Sequence, residues 1–325
     1  LKSMMTNLIS HISRKIKVLL AITLLMSFSI ACDDDDEATQ SNIVQLAQSN
    51  TNLSTLVTAL SEFPDLVTTL SGNGNFTVFA PTNAAFADLL EELGADDLSD
   101  IPNEVLREVL EYHVIATAEL KAADLASQGY TTVEGQKLYV SVGSSVKING
   151  TITVTTPNVD ASNGVVHVVD KVIMPPSETI AEIALGFNPG EFTQLVAALG
   201  RTQGRTLDLL AAVSNPGEYT VFAPTDDAFE ALYTALDVNG INDIAIGTLE
   251  AVLKHHVIVG RKFSSDLTNG GLETLNGDDV TINLTNLTVT GSSGGSNVAN
   301  LQAALLNVNA TNGVIHVIDR VLLPD

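Results

Sequence analysis

The sequence predicts an α+β fold in which one domain occurs twice in tandem along the chain. Two observations lead to this prediction. Two blocks of sequence recur in the same order about 145 residues apart, and each copy reads as helices first and short strands second. With 325 residues, 45% of them hydrophobic, the chain can form two domains of ordinary size, each with its own core.

The repeat is carried by two blocks. The first reads Thr-Val-Phe-Ala-Pro-Thr at 77–82 and returns unchanged at 220–225, with an offset of 143. The second spans 163–175 and returns at 312–324 with an offset of 149, and eight of its 13 positions are identical. The additional residues of the second copy are expected in the glycine- and serine-rich loop 291–296. The period is far longer than a solenoid repeat, so it indicates two copies of one domain.

Helices are predicted in the first half of each copy. In the first copy, apolar residues recur at helical spacing over 43–60. A β-rich run at 76–80 is ended by a proline, after which Thr82 or Asn83 can cap a following helix. A further helix is expected to begin at Pro102, where the missing N–H of proline costs little.

Short strands are predicted in the second half of each copy. After Gly129 the first copy becomes rich in valine, threonine, isoleucine and tyrosine, with glycines between the runs. Asn163-Gly164 is a strong hairpin-turn signal, and the run 165–174 that follows is apolar on both faces, as in a buried strand. Each copy should therefore contain helices followed by a mostly antiparallel sheet.

Three segments that occur in order in both copies resemble the signature segments of the fasciclin (FAS1) domain. In the first copy they are the Thr-Val-Phe-Ala-Pro-Thr block, the Tyr112-His113 pair and the Gly-Val-Val-His-Val-Val-Asp block at 164–170. The resemblance covers about 42–176 and 177–325, which are taken as the two domains. It implies a wedge-shaped β-sandwich with several helices in each domain, and a role in adhesion or extracellular binding.

The motif residues are interpreted as structural rather than catalytic. His113 and His256 lie near predicted helix ends, where a buried histidine bonded to backbone is favoured over a metal ligand or a base. His167 precedes Asp170 by three positions on a strand, so the two side chains face opposite sides and cannot form a dyad. The second copy departs from the family pattern at His255, where a tyrosine is usual. The residues assigned to the family motif are Thr77, Phe79, Pro81, Thr82, Tyr112, His113, His167, Asp170, Thr220, Phe222, Pro224, Thr225, His256, His316 and Asp319.

No catalytic, cofactor or metal site is expected. The run Gly-Ser-Ser-Gly-Gly at 291–295 matches the pattern of a nucleophile elbow, which needs a strand, a sharp turn and a helix. Here it lies in the loop that the first copy lacks, within a β-rich region. The sequence has no histidine or cysteine pattern with metal-ligand spacing and no phosphate-binding glycine motif. An enzyme is therefore the least favoured class of protein.

The N-terminal segment predicts export and lipidation. A basic patch precedes 13 uncharged residues at 18–30, a run about 20 Å long as a helix and short for a bilayer core of about 30 Å. Residues 1–31 are interpreted as a signal peptide. Cys32, the only cysteine, resembles the lipidated cysteine of a bacterial lipobox, although serine replaces the usual leucine. The alternatives are a conventional signal peptide or an uncleaved anchor. The acidic run within 32–41 is interpreted as a tether that holds the domains off the membrane, and it also resembles a signal for surface export.

Charge limits the classes of partner. Residues 1–31 carry four basic residues and no acidic one, so the remaining chain has 11 basic and 38 acidic residues, a formal charge of −27. Repulsion excludes nucleic acids, and the membrane is expected to be contacted only through the lipid. The expected function is a surface-exposed outer-membrane lipoprotein for adhesion, with an extracellular protein or polysaccharide as its partner. The alternative is an envelope scaffold or accessory lipoprotein that binds a small or polymeric ligand.

Replacement of Cys32 by serine tests the lipid anchor. Because a lone cysteine directly follows the apolar run, Cys32→Ser should move the protein from the membrane to the soluble fraction. Fractionation of cells followed by immunoblotting measures this shift. A variant that stays in the membrane fraction would show that the apolar run itself is the anchor.

Overall fold

The computed structural model describes residues 40–187, 191–204, 213–214, 217–293 and 297–325. Gln40–Asp325 form one compact unit. The predicted signal peptide 1–31, the predicted lipidation site Cys32 and the acidic run that follows it lie outside the described residues. None of the described helices is long and apolar enough to cross a bilayer.

Helices occupy the first half of each copy, and the predicted α+β fold class is confirmed. The helices of the first copy are α1 (Ile43–Ser49), α2 (Ser54–Ser61), α3 (Pro64–Ser71), α4 (Asn83–Leu93) and α5 (Asn103–Tyr112). The described helices of the second copy are α6 (Ile180–Gly186), α7 (Thr193–Gly200), α8 (Asp226–Leu236) and α9 (Ile246–His255). Short 3₁₀ turns occur at Thr51–Leu53, Leu98–Asp100, Ile241–Asp243 and Ala303–Leu305.

Strands dominate the second half of each copy. Those of the first copy are β1 (Phe76–Pro81), β2 (Val114–Ile115), β3 (Gln128–Thr131), β4 (Lys137–Val142), β5 (Val146–Ile148), β6 (Ile152–Ala161) and β7 (Gly164–Val169). Those of the second copy are β8 (Tyr219–Pro224), β9 (Val257–Val259), β10 (Gly270–Glu273), β11 (Asp279–Asn283), β12 (Thr288–Thr290), β13 (Val298–Asn300), β14 (Val308–Ala310) and β15 (Gly313–Ile318). The hairpin predicted at Asn163-Gly164 joins β6 to β7, with Ser162 and Asn163 as its turn residues and Gly164 as the first residue of β7.

The helix predicted over 43–60 is wrong in its extent, because it is interrupted at Asn50. The backbone of Asn50 is extended, and its side chain accepts the N–H of Asn52 at 3.0 Å. An asparagine side chain that bonds to a nearby backbone group competes with helix formation. The apolar periodicity continues across the break because α1 and α2 both pack on the same core, which contains Ile43 and Leu56.

A parallel pair of buried strands lies at the centre of each copy. β1 pairs with β7, and β8 pairs with β15, whereas every other described strand pair is antiparallel. The registers are equivalent, since Phe79 lies opposite His167 and Phe222 lies opposite His316. Alternate residues of β1 face two hydrophobic clusters, so Val78 packs against the helices while Phe79 packs against the other strands.

The two copies close their sheets differently. In the first, β6 is a long strand with register shifts that joins all seven strands in the order β2-β1-β7-β6-β5-β4-β3. In the second, the equivalent chain is divided into β13 and β14 by the 3₁₀ turn Ala303–Leu305, which leaves two four-stranded sheets. In each copy one hydrophobic cluster is formed mainly by residues of the strands, and the other combines helices with the central strands.

The additional residues of the second copy lie between β12 and β13. In the first copy Ile148 pairs with Ile152 across a tight connection, whereas in the second copy Val289 pairs with Ala299 across a longer one. The insertion therefore falls at the loop 291–296 expected from the sequence, of which 294–296 lie outside the described residues.

The copies meet through a cluster around Arg261, whose side chain is only 3% exposed. Its guanidinium lies 4.5 Å from the ring centre of Tyr139 in the first copy, and its Nε donates to Glu218 at 2.8 Å. The hydroxyl of Tyr139 donates to the same carboxylate. A buried cation that stacks on an aromatic ring and pairs with a carboxylate gives a specific contact between the copies.

The two copies should nevertheless fold separately. Each contains both of its hydrophobic clusters, and an isolated second copy still pairs Arg261 with Glu218. Residues 42–176 and 177–325, produced as separate polypeptides, are expected to show single cooperative unfolding transitions in urea, followed by circular dichroism. Failure of both pieces to fold would show that the copies share one core.

Candidate functional site

The histidine of the first Tyr-His pair is buried and bonded to backbone at both ring nitrogens. His113 directly follows α5, and its Nδ1 lies 2.6 Å from the carbonyl oxygen of Val109 in that helix. Its Nε2 accepts the N–H of Ile173 at 2.9 Å, in the segment after β7. Because Nε2 accepts, the proton must be on Nδ1, which donates to Val109. The ring therefore joins the end of a helix to a segment that is distant along the chain.

The second copy repeats this arrangement. The Nδ1 of His256 lies 2.7 Å from the carbonyl oxygen of Val252, and its Nε2 accepts the N–H of Leu322 at 2.9 Å. Burial lowers the pKa of both His113 and His256 to about 4. Both rings are therefore neutral at physiological pH, and neither has a free lone pair for a metal ion or a substrate proton.

The strand histidines bond to backbone in the opposite tautomer. The Nε2 of His167 donates to the carbonyl oxygen of Leu120 at 2.8 Å, and its Nδ1 accepts the N–H of Asn158 at 3.3 Å. In the second copy, His316 makes the equivalent contacts with Lys262 at 2.9 Å and Asn307 at 3.4 Å. Burial lowers the pKa of each ring. These histidines position the chain between the second and third strands of their copies.

The motif aspartates lie apart from the histidines and hold neighbouring strands. Asp170 accepts the N–H of Thr153 at 2.7 Å, and Asp319 accepts the N–H of Asn300 at 2.7 Å. Asp170, directly after β7, thus bonds to β6, and Asp319, directly after β15, bonds to β13, while the histidine three positions earlier bonds elsewhere. The structure does not bring the two groups together as a dyad.

The Thr-Val-Phe-Ala-Pro-Thr block supplies hydroxyls at both of its ends. Thr77 donates to the carbonyl oxygen of Ala118 and accepts the N–H of Leu120, both at 2.8 Å. Thr82 caps α4 by accepting the N–H of Ala85 at 3.2 Å. The equivalents Thr220 and Thr225 act in the same way in the second copy. Pro81 and Pro224 are the last residues of β1 and β8.

Tyr112 and its counterpart His255 differ in their contacts. The hydroxyl of Tyr112 donates to the carbonyl oxygen of Lys137 at 2.8 Å, and burial raises its pKa to about 12. The shorter side chain of His255 instead bonds to Asn276 at 3.0 Å, and its Nε2 accepts the N–H of Ser292 at 3.3 Å. The insertion loop of the second copy therefore reaches the ring that replaces the phenol.

Two asparagines carry a structural role that the sequence pattern does not predict, since it indicates Asn163 only as a turn residue. The Oδ1 of Asn163 accepts the N–H of Ile43, the first residue of α1, at 3.0 Å, and its Nδ2 donates to two carbonyl oxygens. Asn312 makes the same bond to Ile180 at 2.9 Å. The recurrence of asparagine in both copies is the available signal, since a turn alone accepts several residue types.

The described residues show no arrangement typical of an active site. They contain no group of three or more histidine, cysteine, aspartate or glutamate side chains that could hold a metal ion. Ser292 and Ser293, from the run that matches a nucleophile elbow, lie in the connection between β12 and β13. The backbone N–H of Ser292 donates to Nε2 of His255 at 3.3 Å. That nitrogen is therefore not free to take a proton from a serine hydroxyl.

Comparison with known proteins assigns the family. A profile of the Fasciclin domain matches residues 51–175 and 190–324, so the chain belongs to the fasciclin domain family and carries two such domains in tandem. Protein sll1483 of Synechocystis sp. is 43% identical over 135 residues, which cover 41% of this chain and 73% of that protein. Among solved structures, the FAS1 domain pair of the insect cell adhesion molecule Fasciclin I matches 85% of this chain and 98% of that chain, with 19% identity and a TM-score of 0.39.

Longer relatives match both domains. Human periostin is 30% identical over 79% of this chain, and the transforming growth factor-beta-induced protein ig-h3 of Sus scrofa is 32% identical over 79% of it. The chain spans only 29% of periostin and 36% of ig-h3. The family assignment supports a general role in adhesion or binding.

Replacement of either helix-end histidine by alanine should destabilise its own domain. The change leaves two buried backbone groups without partners, at about 1–3 kcal/mol each, in addition to lost packing. We expect His113→Ala to lower the melting temperature of the first domain, and His256→Ala that of the second, by roughly 10 °C. Calorimetry measures this, and the unaltered domain of each variant is the internal control. Unchanged stability together with abolished binding would instead place the histidines in a working site.

The same burial predicts a pH dependence of stability. Unfolded histidine takes up a proton near pH 6.5, whereas burial lowers the pKa of His113 and His256 to about 4. Their stabilising contribution is therefore complete above pH 6.5 and is lost as the pH falls towards 4, by roughly 3 kcal/mol for each ring. Urea unfolding between about pH 7.5 and 5 should show a weaker pH dependence in His113→Ala than in the parent. If the free energy of unfolding changed equally with pH in the parent and in His113→Ala, the result would contradict a neutral buried ring.

Proposed function

We propose that the protein is an outer-membrane lipoprotein that binds matrix, neighbouring cells or polysaccharide at the cell surface through its two fasciclin domains. The observation that carries this proposal is the combination of tandem fasciclin domains with a lone cysteine directly after a short apolar run. Lipidation of Cys32 would hold the domains at the membrane, with the acidic residues of 32–41 as a solvated tether. The formal charge of −27 in the remaining chain favours solubility of the exposed domains.

The proposal describes a binding protein rather than an enzyme. In both copies the motif histidines use both ring nitrogens for bonds to backbone groups, as shown for His113, His167, His256 and His316. A general base or a metal ligand requires a nitrogen that is free to meet the substrate or the metal. The recurring polar groups therefore serve the fold, and ligand recognition falls to surface residues outside the motif.

The alternative is a scaffold or accessory lipoprotein of the envelope that binds a small or polymeric ligand without mediating adhesion. The same fold and anchor serve both roles. Surface exposure and retention of cells on a coated surface separate the two, because a scaffold confined within the envelope requires neither.

The proposal is tested by comparing three kinds of cell: those with the parent protein, those with Cys32→Ser, and those without the gene. Antibody labelling of intact cells should detect the parent alone, and those cells should be retained more strongly on immobilised matrix protein or polysaccharide. Labelling that appears only after permeabilisation would contradict surface exposure. Exposure without any difference in retention would contradict adhesion and favour the alternative.

A further inference from the structure

A polar cleft lies where the two copies meet. It has a volume of about 230 Å³ and opens to solvent, and its lining residues come from both copies. The first copy contributes α4, the connection between β5 and β6, and the segment after β7, whereas the second copy contributes Asn307, just before β14, and Asn309, within β14. Binding sites occur preferentially at junctions between domains.

The charged residues of the cleft are not used by the fold. Asp88 and Glu92 lie one turn apart on α4, and Lys171, in the segment after β7, lines the same cleft. All three side chains are exposed, and none forms a hydrogen bond or an ion pair with another described residue. Asn309, from the second copy, accepts a hydrogen bond from Arg261 at 2.6 Å, and its Nδ2 is buried away from the cleft surface. The cleft thus offers the carboxylates of Asp88 and Glu92 as acceptors and the ammonium of Lys171 as a donor.

The repeat shows that these carboxylates are not required for a fasciclin domain. In the alignment that matches Thr82 with Thr225, Asp88 and Glu92 of the first copy correspond to Ala231 and Ala235 of the second. Copy two has the same helix, α8, with the same threonine cap. The carboxylates therefore occur only on the copy whose helix lines the junction.

The shape of the cleft is fixed by the contact between the copies. Gly150 has a φ of +77°, and a Cβ on it would lie 2.6 Å from the Cβ of Phe263 and 2.8 Å from the Cγ of Asn307. The chains therefore approach as closely as a glycine permits, beside the stacked pair of Arg261 and Tyr139. A preformed site loses little entropy when a ligand binds.

We infer that this cleft binds one pyranose unit of a neutral saccharide. Each hydroxyl of a sugar both donates and accepts, so the hydroxyls of one ring can meet the carboxylates of Asp88 and Glu92 and the ammonium of Lys171 together. The volume is below the roughly 300–1,000 Å³ of pockets for drug-sized ligands, which suits a single ring of a longer chain. The thioether of Met174, which is 37% exposed, offers an apolar surface to one face of the ring.

Charge selects the neutral class of saccharide. Two carboxylates against one ammonium leave the cleft negative, within a chain that is itself strongly acidic. Uronates and sulfated sugars are therefore repelled. The inference rests on the proposed function in that it names polysaccharide, among the proposed partners, as the ligand. The rival ligand is a lysine or arginine side chain of a partner protein, which would pair with the same two carboxylates.

Met174 provides a direct reporter, because the other methionines, Met4, Met5 and Met26, all lie within the predicted signal peptide. The full-length protein, labelled with ¹³C at the methionine methyls and held in detergent, is titrated with gluco-, galacto-, manno- and xylo-pentaose at millimolar concentrations. A parallel titration uses pentalysine. Met174→Leu identifies the reporter signal.

The matched variants are Asp88→Ala with Glu92→Ala, which give the first copy the residues of the second, and Glu91→Ala, an exposed control on the same helix. A saccharide that shifts the Met174 signal should bind the double variant at least about tenfold more weakly, while the control binds unchanged. If Glu91→Ala weakens binding as much as the double variant, or if the parent and both variants bind equally, the ligand does not bind at Asp88 and Glu92. If the Met174 signal responds to pentalysine alone, or to no probe at all, the inference that the cleft binds a saccharide is wrong.

Cell adhesion separates this inference from the proposed function. If cells with the double variant are retained on matrix protein as well as the parent, and Met174 is silent, the cleft inference fails while adhesion stands. If Met174 responds to a saccharide and the cells show no adhesion, the proposed function fails and the cleft inference stands.

Discussion

The fold of each copy depends on one buried, neutral imidazole. His113 and His256 each join the end of a helix to the segment after the last strand, through one donated and one accepted hydrogen bond. The backbone carbonyl of the same histidine also accepts the N–H of Phe79 or Phe222 in the central strand. Helix, central strand and C-terminal segment therefore meet at a single residue, and burial in apolar surroundings makes the charged form costly.

This constraint separates what recurs in the two copies from what differs. The recurring polar residues satisfy backbone groups that strands and helices leave without partners, as Asn163 and Asn312 do for the first helix of each copy. Some of the residues that differ lie at the surface or at the junction, among them Asp88 and Glu92. In a protein built from a duplicated domain, such differences are where a function specific to one copy can lie.

Much of the fold could be predicted from the sequence because its signals are local. The threonine cap at Thr82, the Asn-Gly hairpin and the alternation that separates His167 from Asp170 each depend on residues within a few positions of one another. The partners of His113 could not be predicted in this way, since Ile173 is 60 residues away and takes part through its backbone, which carries no sequence signal. The contact of Arg261 with Tyr139 was equally inaccessible, because it depends on how two folded surfaces meet.

The central claim is most directly tested by ¹⁵N NMR of the histidine side chains. At about pH 6, close to the ordinary pKa of the side chain, His113 and His256 should be neutral with the proton on Nδ1, whereas His316 should be neutral with the proton on Nε2. Titration of His113 or His256 near pH 6.5, or a proton on Nε2 of either ring, would contradict the account.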